Sequence, residues 1–352
     1  MRYIKTATMS VTLLLCMAQS GYSHSAEIES SDYQALIESI LDKAAVPFSG
    51  RVLLSKNGKL LASVTKGEGI TLNSSFVMAS QSKQITAVLV MQAVDNGKLN
   101  LKHTLNHYLN QQGTTKEFPR FAHYDKRITL EQLLSHTSGI NHLGKPNLFK
   151  PGTKFHYSNL GYTVLAQVLE QINHLSFQAQ ITNLDQINQL KGISARTGTI
   201  DKLHSQIPSL AYGKVETNRK LSPTDLTITH ELIPAGGLMS TAPAFARFMH
   251  QLHTGKLMSD TSYALMTQAH TTRPHRWPEM NYGYGLQINE QDGIIEYSHS
   301  GYLPGYMSLS LHYPQANLDL IVLESTSLSL NDIKRTFSLH DQMRTAIRTL
   351  VK

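Results

Sequence analysis

A chain of 352 residues, 41% hydrophobic and 16% charged, has a globular composition and the length for one large domain or two interleaved ones. Its net charge of +7 is not gathered into a basic block interleaved with aromatics, so no nucleic-acid partner is expected. The only cysteine is Cys16; once it leaves with a leader, disulfides, a thiol nucleophile and a thiolate metal site are excluded.

The chain opens on that leader. Arg2 and Lys5 precede a short apolar run over 11–18, followed by small residues. The pattern predicts a secretory signal peptide over 1–25, cleaved near Ser20, Ser25 or Ala26, and too short for a permanent membrane anchor. A periplasmic or secreted location follows as an expectation. Leu13-Leu14-Leu15 before Cys16 lacks the small residue that a lipid-modified cysteine requires.

Tyr33, Leu36, Ile37, Ile40, Leu41 and Ala44 recur at helical spacing and predict a helix over 31–45. Strands are expected over 48–54 and 60–65, joined through Asn57-Gly58, a pair that accepts positive φ cheaply. A helix should start near Ser80 and stop at Asp95-Asn96-Gly97. The stretch 99–109 looks turn-rich. A second helix is expected over 128–134, with Thr129 and Gln132 as a capping box, ending in the polar loop 135–139. Another begins after Tyr157, with Leu160, Val164, Leu165, Val168 and Leu169 as its buried stripe. Residues 175–231 are Gln/Asn-rich and poorly periodic, so helices and long loops are expected there. After the break at 234–241, a helix over 242–253 buries Phe245, Phe248 and Leu252. Strands follow over 282–288, 294–298, 307–313 and 318–324, and a last helix over 331–350.

Two early strands, four late ones and a mostly helical middle are not a βαβ rhythm. They predict α/β plus all-α architecture, in which one antiparallel sheet is built from both chain ends and flanked by the terminal helices. The expected parts are a sheet domain from 27–98 with 232–352, and an inserted, mostly helical domain over 99–231.

Chemistry concentrates at Ser80-Gln81-Ser82-Lys83. On a helix, residues three apart share a face, so the Ser80 hydroxyl would stand beside the Lys83 amine. A desolvated lysine loses its proton readily and can act as base to the serine. A second match, Ser63 to Lys66, falls on a predicted strand, where residues three apart point to opposite faces, and is set aside.

Two further segments join this pair, Tyr157-Ser158-Asn159 and His299-Ser300-Gly301. With LLSHTSGI at 133–140, PGTKFHYSNLGY at 151–162, AGGLMSTA at 235–242 and YGYGL at 282–286, they occur in a familiar order. The chain resembles the serine beta-lactamase and penicillin-binding protein superfamily, in the branch of class C beta-lactamases, DD-peptidases and related esterases. The resemblance covers roughly 45–325 and implies a beta-lactamase/transpeptidase-like fold with the active site between the sheet and an inserted helical domain.

By that resemblance, Ser80 forms an acyl-enzyme, Lys83 takes its proton or holds the charge network, and Tyr157 relays protons to the leaving group. A Tyr157 phenolate at neutral pH needs a nearby cation, which Lys83 can supply. Asn159 would bond Lys83 or the substrate amide, while His299, Ser300 and Gly301 line the opposite wall. The backbone N–H groups of Ser80 and Tyr302 would make the oxyanion hole, which leaves the Tyr302 side chain less constrained. Class C beta-lactamases carry lysine where this chain has His299. Histidine is a fixed cation only below its pKa, near 6.5, so the substrate class stays open here.

No H-E-x-x-H occurs among the 17 histidines, because His230-Glu231 runs into Leu232, Ile233 and Pro234. His250 and His253 have no third ligand close in sequence, and His136 and His156 read as structural neighbours of the site. No metal or other cofactor is expected. The absence of G-x-S-x-G counts against an α/β-hydrolase. The expected function is D-alanyl-D-alanine carboxypeptidase-like cleavage of cell-wall peptides. An esterase or lactonase on small acyl substrates, a class C-like beta-lactamase, and a non-catalytic peptidoglycan-binding protein are the alternatives. The expected partners are a small peptide, ester or beta-lactam substrate, with peptidoglycan as the larger one.

Overall fold

A computed structural model describes residues 30–109, 124–142, 145–278 and 280–351, so the expected leader lies outside the described residues. The chain begins with helix α1 (Ser30–Leu41), then strands β1 (Gly50–Lys56), β2 (Lys59–Lys66) and β3 (Ser75–Val77). A 3-10 turn, Ala79–Gln81, runs directly into α2 (Ser82–Asp95). Next come α3 (Leu105–Leu109), α4 (Leu130–Leu134), α5 (Asn159–Asn173) and α6 (Phe177–Ile187). Short elements follow: β4 (Ile193–Ala195), β5 (Gly198–Thr199), α7 (Ile200–Gln206), β6 (Lys214–Thr217), β7 (Lys220–Pro223) and β8 (Thr227–Ile228). A π-helical turn, Ile233–Gly237, leads to β9 (Leu238–Thr241), α8 (Ala242–His253) and α9 (Asp260–Thr267). The last third holds β10 (Thr271–Thr272), β11 (Met280–Tyr282), β12 (Gln287–Gln291), β13 (Ile294–Leu303), β14 (Tyr306–Tyr313), β15 (Leu318–Glu324) and β16 (Thr326–Ser327). It closes with α10 (Ile333–Thr336) and α11 (Ser338–Thr349).

The main sheet runs β10-β11-β12-β13-β14-β15-β1-β2, antiparallel throughout, so the early hairpin joins the late strands through β1 and β15. Its turn uses Asn57 and Gly58, both at positive φ. Val52 pairs Val322 and Leu54 pairs Leu320, and these four side chains pack under α1 and α11 with Ile37, Ile40, Met343 and Ile347. Leu53, Ile321 and Leu323 face the opposite way, toward the core that includes α2, α5 and α8. A one-residue slip of β1 would exchange these two sets, so burial on both faces fixes the register.

Several expectations change in detail. Residues 282–288 are not one strand: Gly283 N–H bonds Leu286 O, and β11 reverses into β12 there. Gly285 sits at φ +76, and a Cβ on it would lie 2.7 Å from Lys83 O. Residues 175–231 carry two helices, as expected, and five short strands that were not. The predicted helix over 331–350 is broken into α10 and α11. The helix over 128–134 shortens to five residues, and Gln132 accepts from Thr129 N–H at 3.0 Å.

Candidate active site

Ser80 lies in the 3-10 turn rather than in α2 itself, which corrects the expected helix start by two residues. Ala79 ahead of it takes φ +49, a conformation that costs a non-glycine residue energy and is tolerated where neighbours hold it. The two residues between Ser80 and Lys83 are spent on holding the turn. Gln81 is fully buried, donates to His299 O at 2.7 Å and accepts from Ser310 Oγ at 2.9 Å. Ser82 Oγ donates to Ala79 O at 2.8 Å and accepts from Leu238 N–H at 3.1 Å. The motif set aside lies elsewhere, on β2: Ser63 accepts from Arg51 of β1, while Lys66 pairs Asp42 at 2.5 Å.

Lys83 is fully buried at the start of α2. Its Nζ lies 2.8 Å from Asn159 Oδ1, 2.5 Å from Ala235 O and 3.3 Å from Ser80 Oγ. Desolvation, and then the Arg273 charge, hold its pKa well below the ordinary lysine value. A neutral amine has two N–H donors and one lone pair. The two short contacts are to pure acceptors, so the lone pair is left for the Ser80 hydroxyl proton.

Tyr157 arrives from the loop before α5, whose first turn is capped by Ser158 Oγ accepting from Gly161 N–H. Lys83 Nζ stands 4.7 Å from the centre of the Tyr157 ring. Burial pushes the Tyr157 phenol up to about 12; the Ser80 hydroxyl and the Arg273 charge oppose that shift without overcoming it. Loss of hydration outweighs the neighbouring charge, so burial favours the phenol over the phenolate that a nearby cation would support.

His299 is buried on β13. Its Nδ1 lies 2.7 Å from Ser300 O, an acceptor only, and therefore carries the proton; Nε2 accepts from Tyr282 Oη at 3.0 Å. Desolvation, then the Arg273 charge, hold its pKa well below 6.5. Burial therefore favours the neutral form of His299, with both ring nitrogens hydrogen-bonded. Ser300 is half-buried and points to the opposite face of the strand. Gly301 is needed for close approach: a Cβ there would meet Ser308 Oγ at 2.2 Å, Met78 O at 2.8 Å and Ala79 Cβ at 2.9 Å.

Strand β12 pairs β13 only as far as Ser298, which leaves 299–303 with a free outer edge beside the 3-10 turn. Leu303 and Tyr306 close the two-residue turn at Pro304-Gly305, so the ladder's alternation puts Tyr302 N–H on that free edge. The Tyr302 side chain turns away and donates to Leu328 O at 2.8 Å.

Sequence reasoning missed Arg273. It lies in the loop between β10 and β11, its guanidinium carbon 5.0 Å from the Tyr157 ring centre and 5.8 Å from that of Tyr282. Its Nη1 is excluded from solvent and has no hydrogen-bond partner among the described residues. Nothing local distinguishes Arg273 from Arg276, three residues on, which turns away to Asp341 at 2.9 Å. Among the described residues, no group of three His, Cys, Asp or Glu side chains is placed to hold a metal ion, and no helix is long and apolar enough to cross a membrane.

The beta-lactamase family model matches residues 43–337. Penicillin-binding protein 4* of Bacillus subtilis is 24% identical, over 83% of this chain and 71% of its own. The penicillin-binding protein of Bacillus halodurans has the same fold, with a TM-score of 0.70 at 24% identity over 89% of this chain and 98% of its own. The D-alanine carboxypeptidase of Burkholderia cenocepacia superposes with a TM-score of 0.71 at 15% identity, covering 89% and 99% of the two chains.

Proposed function

The chain belongs to the beta-lactamase family and is a serine hydrolase, and from that premise we propose that it is an exported D-alanyl-D-alanine carboxypeptidase-like enzyme working through a Ser80 acyl-enzyme. Ser80 Oγ attacks the scissile carbonyl as its proton passes to the neutral Lys83 amine. The oxyanion forms against the N–H groups of Ser80 and Tyr302. As it collapses the C–N bond breaks, and the Tyr157 phenol donates the proton that the leaving amine needs. Water then attacks the acyl carbon as its proton passes to the Tyr157 oxygen; the bond to Ser80 breaks, and the Ser80 oxygen takes its proton back from the Lys83 ammonium, which releases the acid and restores the neutral amine.

The observation that carries the peptidase reading is Arg273, whose guanidinium lies beside the ring of Tyr157 and whose buried Nη1 has no hydrogen-bond partner among the described residues. A peptide ending in a free carboxylate offers the acceptor such a fork suits; a simple ester does not. With His299 neutral, the fixed cation comes from a different element than in relatives with lysine at that position. A beta-lactam also carries a carboxylate, so acylation by penicillin is expected as well. The basic, apolar start of the chain supports export to the periplasm, where peptidoglycan peptides would be met.

The test is parallel turnover of a peptide ending in D-Ala-D-Ala, nitrocefin and a p-nitrophenyl ester, each against Ser80→Ala. Release of D-alanine as the fastest Ser80-dependent turnover is the expected result. Ester-only turnover would replace the peptidase reading with the esterase one, and fast nitrocefin turnover without D-alanine release would replace it with beta-lactamase.

A further inference from the structure

We propose that His136 is a positioning residue for Tyr157, a neutral imidazole that fixes the phenol by docking the backbone on both sides of it. The proposal rests on the reading of Tyr157 as the proton donor.

His136 follows α4, is 1% exposed and takes φ +59. Its carbonyl accepts from His156 N–H at 2.8 Å, and its Nδ1 accepts from Ser158 N–H at 3.1 Å. Those residues are the two neighbours of Tyr157. The imidazole itself lies against the Tyr157 ring, centroids 4.3 Å apart and tilted by 39°. One residue therefore sets Tyr157 from three directions: the amide before it, the amide after it, and the ring face.

The tautomer follows from the donors. A backbone N–H can only donate, so Nδ1 must keep its lone pair, and the proton of a neutral ring sits on Nε2. Nε2 is buried and has no acceptor among the described residues. Its hydrogen bonding therefore does not choose the ring orientation; the Ser158 bond and the packing do. The packing is aromatic, with Tyr282 at 4.8 Å, Tyr162 at 5.2 Å and Phe155 at 5.8 Å. Tyr162 is anchored in turn by donating to Leu134 O at 2.8 Å. A second proton on the ring would set N–H against N–H at Ser158 and place a charge in this box.

Two substitutions separate positioning from mere loop support. His136→Asn keeps an acceptor, Oδ1, near the Nδ1 position and tolerates the left-handed backbone. His136→Gln moves its polar end one bond outward and loses the Ser158 bond. The expected loss in kcat is about 10- to 100-fold for H136Q, with KM nearly unchanged, because small misplacements of a reacting group carry that cost. H136N should restore kcat to within about threefold of wild type, the range expected when the Ser158 bond is kept. In a Tyr157→Phe background, H136Q should cost nothing further. Additive losses in that double mutant, or H136N as impaired as H136Q, would overturn the proposal. Should H136Q fail to fold, nitrogen NMR of the histidine-labelled wild type decides: an Nδ1-protonated His136 overturns it, an Nε2-protonated one with an accepting Nδ1 supports it. Full activity in Y157F alone would instead remove the proton-donor reading of Tyr157, an outcome the tautomer measurement does not share.

Discussion

Arg273→Leu should convert the enzyme from one that recognises a free carboxylate into one that does not. A hydrogen bond to a charged group contributes about 1.5–3 kcal/mol, which corresponds to roughly 10- to 150-fold in kcat/KM. Nη1 has no hydrogen-bond partner among the described residues that the substrate carboxylate would have to displace. The assay compares a D-Ala-D-Ala peptide, the same peptide with its C-terminus amidated, and a p-nitrophenyl ester. Wild type should prefer the acid over the amide by that factor. R273L should lose the preference by slowing on the acid alone, with the ester changed less than about threefold, because the ester never used the charge. Arg273→Lys should retain part of the preference, since it keeps the charge and loses the fork. Equal losses on all three substrates would refute the reasoning, because Arg273 would then act only by propping the rings of Tyr157 and Tyr282.

Fluorescent penicillin should label wild type and Ser63→Ala but not Ser80→Ala, with the adduct located on Ser80 by mass spectrometry; labelling of S80A would remove the nucleophile assignment. The proposed reaction uses Lys83 as a neutral base with a depressed pKa, so kcat/KM should fall as pH drops through that value and be flat up to the alkaline range; a rising limb near 10.5 would mean an ordinary lysine. Gly301→Ala places a Cβ 2.8 Å from Met78 O and should push β13 off the 3-10 turn, lowering kcat by about 100-fold or more, the scale of a lost oxyanion donor. Near-normal turnover of G301A would show that the oxyanion donors lie elsewhere. Glu296→Ala strands Arg344, its partner at 2.9 Å, where neither side chain is exposed, and should cost about 3–5 kcal/mol by chemical denaturation. A loss under about 1 kcal/mol would mean that the buried pair relaxes into water.

The sheet was legible because its strands carry long apolar runs and a strong turn signal at Asn57-Gly58. The pairing of early and late strands followed from where those runs fall. The strands between 193 and 228 were not legible, since two to four residues are too few for any period to show. YGYGL read as a strand from its aromatics, while its glycines serve a reversal and a close pass against α2. At the site, Ser80 and Lys83 could be found because their relation is local, one turn apart. Arg273 could not, because its direction is set by distant anchors. Arg276 is held by Asp341, and Trp277 lies under Arg344, so a helix more than sixty residues on aims this loop.

Desolvation is the quantity the sequence hides most completely, and it decides the resting charges. Lys83, His136, His299 and Tyr157 are all titratable, and burial favours the neutral form of each. In the proposed reaction, charge therefore appears only as bonds change. Proton transfer from Ser80 makes Lys83 a cation, and the Asn159 and Ala235 oxygens are already in place to solvate it. Departure of the amine with the Tyr157 proton leaves a phenolate close to that ammonium and to Arg273. The phenolate that the motif suggested for the resting enzyme thus belongs to the acyl-enzyme stage, where two cations flank it. There it is the base that deacylation needs, and it is formed by the step that precedes its use. A resting phenolate would have paired with Lys83 and left the serine without its base.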